Sequence, residues 1–203
     1  MASSLADQEL LAAASRGDHV AFSQIYQRYR NRVYGFAYRM LGAQEVAEDV
    51  THEAFLVLIR QPELYQAERG SLLTFLCAVA RNHIYQHLRH QERYAPEPVE
   101  TSDEYEEAGM RYSLDPLSDL LERELAALVE AALAKLPAAQ REAVTLREYQ
   151  ELSYEEIATV VGADTNVVKA RLYRARQALA KRLAPYLNQE TAPRARSSQR
   201  IDQ

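Results

Sequence analysis

Apolar residues recur at helical spacing through the N-terminal half of the chain. Residues 7 to 91 predict about four helices, and Asp18 is a suitable N-cap for the long one that ends at Gly42. Another helix is predicted from about Leu72 to Gln91. Its core stripe is Leu73, Leu76, Ala80 and Ile84, and its opposite face carries Arg81, Asn82, Tyr85 and Arg89. Basic, amide and aromatic groups on one face suit single-stranded or melted DNA, although a polar face alone more often indicates only contact with solvent.

The helix predicted over residues 43–60 is apolar on two sides. One stripe consists of Val46, Val50, Ala54 and Val57. The other side carries Phe55 and Ile59 beside Glu48 and His52. A helix with two apolar faces needs two partners, so it is either deeply buried in its own domain or exposes a docking surface for another protein. The pattern favours neither interpretation over the other.

The C-terminal half predicts a helix-turn-helix over residues 152–183. Ser153 and Glu156 have the spacing of a capping box, in which each side chain accepts a hydrogen bond from the other's backbone N–H. Gly162 tolerates a positive φ and ends the first helix, and Asp164 or Thr165 can cap the second. The turn is therefore short, as it is in proteins that read DNA with the second helix.

The second helix of this pair has a basic outer face. Its core positions are Val168, Leu172, Ala175 and Leu179. Its outward positions are Asn166, Lys169, Ala170 and Tyr173, with Arg171 and Arg174 on one flank and Arg176 on the other. From residue 164 to 187, six cations stand against one acid, a local charge of 6 − 1 = +5. In a major groove Lys169 and Tyr173 would lie near base edges and the arginines near phosphates, whereas the plainer interpretation is a solvated amphipathic helix in an ordinary bundle.

Composition indicates an all-α protein of two small helical domains joined by a flexible acidic linker. The 203 residues are 47% hydrophobic, enough for two cores, and only six glycines and seven prolines favour helices over a sheet. The net charge of −5 is unexpected for a DNA-binding protein, but from residue 92 to 124 eleven acids stand against three arginines. We therefore predict an N-terminal helical bundle over 1–91, a linker over 92–119, a helix-turn-helix domain over 120–187 and a disordered tail over 188–203.

Several kinds of chemistry lack the residues they need. Cys77 is the only cysteine, which excludes an intramolecular disulfide and a cysteine zinc cluster. His83, His87 and His90 have helical spacing but no supporting carboxylate, so we expect no metal site. There is no Walker loop, dinucleotide glycine fingerprint or GxSxG motif, and we expect neither an enzyme nor a bound cofactor. The absence of a membrane-length apolar run and of a secretory signal predicts a cytoplasmic protein.

Both halves resemble one family, the bacterial RNA polymerase sigma factors of the two-domain extracytoplasmic-function (ECF) type. The resemblance covers about residues 7 to 187. In the N-terminal half, AEDVTHEAFLVLIR is similar to the polymerase-docking helix and GSLLTFLCAVARNHIYQHLRH to the helix that engages the −10 promoter element. In the C-terminal half, LAKLPAAQREAVTLREYQELSYEEIATVVG followed by VVKARLYRARQAL resembles the module that reads the −35 element.

The resemblance, taken together with the outward helix positions described above, implies three sets of functional residues. The set expected to dock on the clamp coiled coil of the polymerase β′ subunit is Glu48, Asp49, His52, Glu53 and Phe55. The set expected at the −10 element is Arg81, Asn82, Tyr85 and Arg89, with the loop from about Leu64 to Ser71 capturing an unstacked base. The set expected at the −35 element is Asn166, Lys169, Ala170, Arg171, Tyr173, Arg174 and Arg176.

The resemblance also implies partners and a function. The partners are core RNA polymerase, through its β′ clamp and β flap, promoter DNA, and an anti-sigma factor of the kind that holds many members inactive. The function is to carry polymerase to −35/−10 promoters and to stabilise melted −10 DNA. The chain departs from the family's usual residues at four places: Phe75 stands for tryptophan, Ala78 for arginine, His52 for glutamine and Asn166-Val167 for glycine-threonine. We expect these departures to affect promoter preference. The alternatives are a stand-alone helix-turn-helix regulator that acts without polymerase and an adaptor whose basic helix binds an acidic protein.

Overall fold

The computed structural model describes residues 2–94 and 116–190, and these residues form eight α-helices without a β-strand. The helices of the N-terminal half are α1 (Ala2–Ser15), α2 (His19–Leu41), α3 (Gln44–Arg60) and α4 (Leu72–Tyr94). The helices of the C-terminal half are α5 (Pro116–Ala134), α6 (Ala138–Val144), α7 (Tyr154–Val161) and α8 (Thr165–Glu190). The predicted all-α class is confirmed.

Local signals in the sequence begin and end these helices. The Asp18 carboxylate accepts hydrogen bonds from the backbone N–H groups of Val20 and Ala21 at 2.9 and 3.1 Å, and α2 ends at Gly42 with φ of 71°. The capping box at the start of α7 is present: the Glu156 N–H donates to Ser153 Oγ at 3.1 Å and the Ser153 N–H to the Glu156 carboxylate at 2.9 Å. Both predicted caps are therefore confirmed.

The N-terminal core forms where α2 packs on α1, α3 and α4. The residues of α2 that face this core include Ile25, Val33 and Phe36, which have no exposed surface. Helix α3 differs from the expected pattern. Val50 and Ala54 are buried as predicted, Val46 and Val57 are only half-buried, and Ala47, Thr51, Phe55 and Leu58 are also buried. Phe55 belongs to the core because α2 covers the side of α3 from which it was expected to project.

The C-terminal helices pack α8 against α5, α6 and α7. Val168, Leu172 and Ala175 are buried at the centre of this packing, as their spacing predicts, whereas Leu179, the fourth predicted core position, is only half-buried. Between α6 and α7, a π-helical segment at Thr145–Tyr149 has no counterpart in the predicted elements. Such a segment inserts an extra residue into a helical turn and is often found at functional sites. Here it carries the chain from α6 toward the other half of the molecule.

The two halves pack against each other. Helix α4 contacts α7, and α2 contacts α5, α6 and the π-helical segment, so the buried apolar residues of the two halves form one cluster. Helical structure also extends beyond the predicted limits, since α4 reaches Tyr94, α5 starts at Pro116 and α8 reaches Glu190. The rest of the predicted linker, 95–115, and of the predicted tail, 191–203, lies outside the described residues.

Candidate nucleic-acid interface

The outer face of α8 is an exposed polar surface on a rigid support. The Asp164 carboxylate accepts a hydrogen bond from the Asn166 N–H at 2.7 Å and so caps the helix. Asn166, Lys169 and Arg174 are exposed, and 66% of Tyr173 is accessible to solvent. This face lies opposite the buried positions of the same helix, so the side chains that could contact bases are presented outward.

Three other α8 residues are less available. Ala170 is half-buried, and the half-buried Arg171 guanidinium lies 4.0 Å from the Glu142 carboxylate. Arg176 donates to the Glu148 carboxylate at 2.7 Å, and this hydrogen bond raises the pKa of the guanidinium. Arg171 and Arg176 would therefore exchange a carboxylate for a phosphate if they met DNA.

The predicted −10 face of α4 is partly covered by the C-terminal half. Arg81 Nε donates to Glu142 Oε1 at 2.6 Å, and the Tyr85 hydroxyl donates to Glu142 Oε2 at 3.2 Å. Asn82 is exposed, and the exposed Arg89 donates to the backbone carbonyl of Tyr85 at 3.2 Å. The expectation that Arg81 and Tyr85 form an open surface is wrong for this conformation, because α6 brings Glu142 onto them.

Glu142 is a functional candidate that the sequence reasoning missed. Its side chain has no exposed surface, and burial raises the pKa of the carboxyl, while Arg81 opposes that rise. Burial also raises the pKa of Tyr85, to about 12, with a further rise from the charge of Glu142. The phenol therefore stays protonated, and its hydroxyl donates the hydrogen bond to Glu142. A buried carboxylate needs such partners to offset its loss of hydration. The sequence did contain a signal for this position: Glu142 stands four residues before Leu146, an apolar residue that is buried. Helical spacing of four predicts that both side chains lie on the same, inner side of the chain.

Polar groups join the two halves at three further places, and we call the whole set the closed interface. The Glu156 carboxylate accepts hydrogen bonds from the hydroxyls of Ser71 and Thr74 at 3.0 and 2.9 Å. The side chains of Arg32 and Gln150 each donate to the other's backbone carbonyl. Arg39 lies 2.9 Å from the Glu130 carboxylate and 3.7 Å from the centre of the Tyr149 ring. The closed interface consists of these residues together with Arg81, Tyr85 and Glu142. Its two sides are the N-terminal half, along α2 and α4, and the C-terminal half.

The loop before α4 contains two short 3-10 turns, at Pro62–Leu64 and Ala67–Arg69. Half of the Leu64 side chain is exposed, and the Tyr65 ring meets Phe75 edge-on, with 5.9 Å between ring centres. Phe75, which stands where tryptophan is usual in the family resembled, thus supports the loop from the first turns of α4. The loop from Leu64 to Ser71 lies on the N-terminal side of the predicted −10 face.

The predicted polymerase-docking residues divide into two groups. Four are exposed along α3, and these are Glu48, Asp49, His52 and Glu53. Phe55 is only 2% exposed, with its ring centre 4.8 Å from that of Tyr26 and 6.4 Å from that of Phe22. The expectation that Phe55 projects from the surface is therefore wrong, because its buried ring holds α3 on α2.

Two other kinds of site were sought among the described residues. They include no group of three or more His, Cys, Asp or Glu side chains that could hold a metal ion. None of the helices in that part of the chain is long and apolar enough to cross a membrane.

Comparison with known proteins identifies the family to which both halves belong. The Sigma-70 region 2 family model matches residues 25–94, and the Sigma-70 region 4 family model matches residues 126–179. The chain belongs to the sigma-70 family of RNA polymerase sigma factors and, within it, to the ECF type. It is thus a sigma factor that directs RNA polymerase, and the match of both regions in order does not favour a stand-alone helix-turn-helix regulator.

Relatives match over nearly the whole chain. The chain is 32% identical over 187 residues to the RNA polymerase sigma-H factor of Pseudomonas aeruginosa, covering 90% of this chain and 96% of that protein. It is 30% identical over 191 residues to the ECF RNA polymerase sigma-E factor of Haemophilus influenzae, covering 92% and 100% of the two chains. The likeness therefore includes both halves.

Solved structures share the fold. The sigma factor RpoE from Bartonella quintana, solved with the anti-sigma factor NepR, matches with a TM-score of 0.65 at 24% identity, over 80% of this chain and 96% of that one. CnrH, solved with the cytosolic domain of CnrY, matches with a TM-score of 0.62 at 22% identity, over 92% and 99% of the two chains.

Proposed function

We propose that this sigma factor divides promoter recognition among three surfaces. The outer face of α8 reads the −35 element, α4 with the loop from Leu64 to Ser71 holds melted −10 DNA, and the exposed acidic face of α3 docks on the β′ clamp coiled coil. The C-terminal half contacts the β flap. The observation that carries the proposal is the exposed face of α8, where Lys169 and Tyr173 stand one turn apart above a fully buried stripe.

At the −35 element the helix lies in the major groove. Lys169 donates to base edges, and Tyr173 offers its ring and hydroxyl one turn further along. Asn166 and Ala170 complete the side that faces the bases. Arg174 binds the DNA backbone directly, and Arg171 and Arg176 join it once phosphates replace their carboxylate partners. Phosphate contacts set the position of the helix, and base contacts set the sequence preference.

At the −10 element the protein stabilises unstacked bases. Unstacking costs roughly a few kcal/mol per base step, which contacts from the protein must offset. Asn82 and the preceding loop contact a displaced base, Arg81 and Arg89 follow the backbone, and Tyr85 provides an aromatic face. Binding energy replaces covalent catalysis, so we propose that the chain is not an enzyme and needs no cofactor.

On α3, three carboxylates and an imidazole supply the docking surface for polymerase. Glu48, Asp49 and Glu53 give it a negative charge that suits basic groups on a partner, and Phe55 supports it from beneath. We also propose that the protein acts in the cytoplasm, where polymerase is found. Because RpoE of Bartonella quintana was solved with an anti-sigma factor, we propose that such a partner covers one or more of these surfaces here too.

Footprinting of the holoenzyme tests the −35 assignment. On a promoter recovered by run-off transcription from genomic DNA, Lys169→Ala with Arg174→Ala should weaken −35 protection by roughly tenfold or more, because loss of the Lys169 base contact costs about 1–3 kcal/mol and loss of the Arg174 phosphate contact weakens binding further. Lys181→Ala, an exposed cation further along α8, is the matched control and should have a smaller effect. If the double variant protects −35 DNA as well as the control does, α8 does not read the promoter.

A further inference from the structure

Two of the side chains proposed to hold melted −10 DNA, Arg81 and Tyr85, are occupied by an acidic group from the other half of the same chain. Glu142 binds the guanidinium of Arg81 at 2.6 Å and the hydroxyl of Tyr85 at 3.2 Å, and no part of Glu142 is exposed. A carboxylate offers these donors the negative charge and acceptor oxygens that a DNA phosphate would offer. Glu142 and the DNA backbone therefore compete for the same groups.

The polar contacts of the closed interface can be exchanged for contacts with other acceptors. Its direct contacts include the Glu142 cluster, the hydroxyls of Ser71 and Thr74 on Glu156, and the reciprocal bonds of Arg32 and Gln150. The interface also has an apolar part, because the buried apolar residues of the two halves form one cluster, so binding of polymerase and DNA must supply the free energy that opens it. Burying the Glu142 carboxylate also costs hydration that its ion pair only partly returns. Other acceptors, such as phosphates, can therefore replace the Glu142 carboxylate as partners of these donors.

Glu142 also connects the −10 face with the −35 helix. Arg171 of α8 lies 4.0 Å from the same carboxylate that binds Arg81 of α4. Because Glu142 and Arg171 belong to the same half, separation of the halves would free Arg81 and leave Arg171 as the remaining cation near Glu142. The closed arrangement thus keeps two arginines, one from each proposed DNA-binding surface, near one internal anion.

We propose that Glu142 forms an autoinhibitory contact, which holds the free chain closed and must leave Arg81 and Tyr85 before α4 can bind melted DNA. This rests on the −10 role proposed above for those two residues. A ligand that binds only the open state shifts the population toward it, and the closed population lowers the apparent affinity of that ligand. Polymerase and promoter DNA therefore activate the chain partly by separating its halves.

Energy transfer within the full chain measures the closure without DNA. Fluorophores at Gln24→Cys and Lys135→Cys label exposed sites on the two halves, while Cys77 is buried. We expect Glu142→Gln and Gln150→Ala to lower the transfer efficiency, because each removes a contact across the closed interface. Glu155→Gln is the matched control, since Glu155 is exposed, carries the same charge and has no side-chain bond across the interface. Wild-type efficiency in both folded variants, checked by circular dichroism, would overturn the proposal.

Binding of labelled oligo-dT by the same proteins measures the masking. Glu142→Gln and Gln150→Ala should bind this single strand about fivefold or more tightly than the wild type, whereas Glu155→Gln should not. Separated halves with unchanged oligo-dT affinity would refute the masking role of Glu142. Adding Arg81→Ala and Tyr85→Ala to Gln150→Ala should abolish the gain. If the gain persists, the −10 role of these side chains fails and the proposal with it, while the measured closure stands on its own.

Discussion

A double-mutant cycle between Thr74 and Glu156 can measure the coupling between the two halves. Thr74 is 2% exposed, and its hydroxyl donates to the Glu156 carboxylate at 2.9 Å across the closed interface. Thr74→Val removes the hydroxyl with little change in volume. Glu156→Gln removes the charge, while glutamine can still complete the capping box with Ser153. The cycle therefore separates the contact between halves from the cap of α7.

Hydrogen bonds to charged groups contribute about 1.5–3 kcal/mol, against about 1 kcal/mol for neutral ones. A glutamine oxygen still accepts a neutral bond from Thr74, so the coupling energy should be about 1 kcal/mol. The assay is urea unfolding of the four proteins at one pH, with the free energy of unfolding taken from each curve. The coupling is the part of the double-variant change that the two single changes do not explain.

Thr159→Val provides the control for this cycle. The Thr159 hydroxyl is exposed and donates to the Glu155 backbone carbonyl at 3.0 Å within α7. Its coupling to Glu156→Gln should be close to zero. If Thr74 and Thr159 give equal coupling energies, the contact across the closed interface contributes nothing to stability, and the reasoning about the closed state is wrong.

Three other predictions concern single sites. Burial raises the pKa of Cys77 to about 12, so a thiol reagent at pH 8 should modify the unfolded chain but not the native one, and fast stoichiometric labelling of the native protein would contradict this. Gly162→Ala should cost about 1–2 kcal/mol in thermal unfolding, because φ is 66° there while an added Cβ meets no atom within 4 Å. Burial favours a higher pKa for Glu156, but hydrogen bonds from Ser153, Thr74 and Ser71 outweigh it and lower the pKa below 4.5. The stabilisation that the Glu156 carboxylate gives should therefore be complete above pH 4.5 and be lost as the pH falls through its lowered pKa. Glu156→Gln should flatten this part of the dependence of unfolding free energy on pH.

The parts of this structure that follow local rules could be predicted from the sequence. The caps at Asp18 and Ser153 and the ends at Gly42 and Gly162 depend on residues within one or two turns of each other. The buried stripe of α8 follows from helical periodicity alone. The all-α class and the helix-turn-helix could therefore be read directly from the chain.

The contacts between the halves could not be predicted, because they join residues far apart in the sequence. Arg81 and Glu142 are separated by 61 positions, and Arg32 and Gln150 by 118. Periodicity places each side chain on a face of its own helix but does not say which face of another helix will meet it. Phe55 illustrates the same limit, since the pattern left a second apolar face and only tertiary packing shows that α2 covers it.

Reconstituted transcription tests most directly the central claim that this chain selects promoters for RNA polymerase. Core polymerase would be supplied with sheared genomic DNA, with and without the purified chain, and the 5′ ends of the transcripts would be mapped. The account predicts discrete start sites that require the chain and share sequence elements near −35 and −10. It also predicts that Lys169→Ala with Arg174→Ala reduces transcription from these sites. Identical start sites with and without the chain, under conditions in which core polymerase is active, would contradict the account.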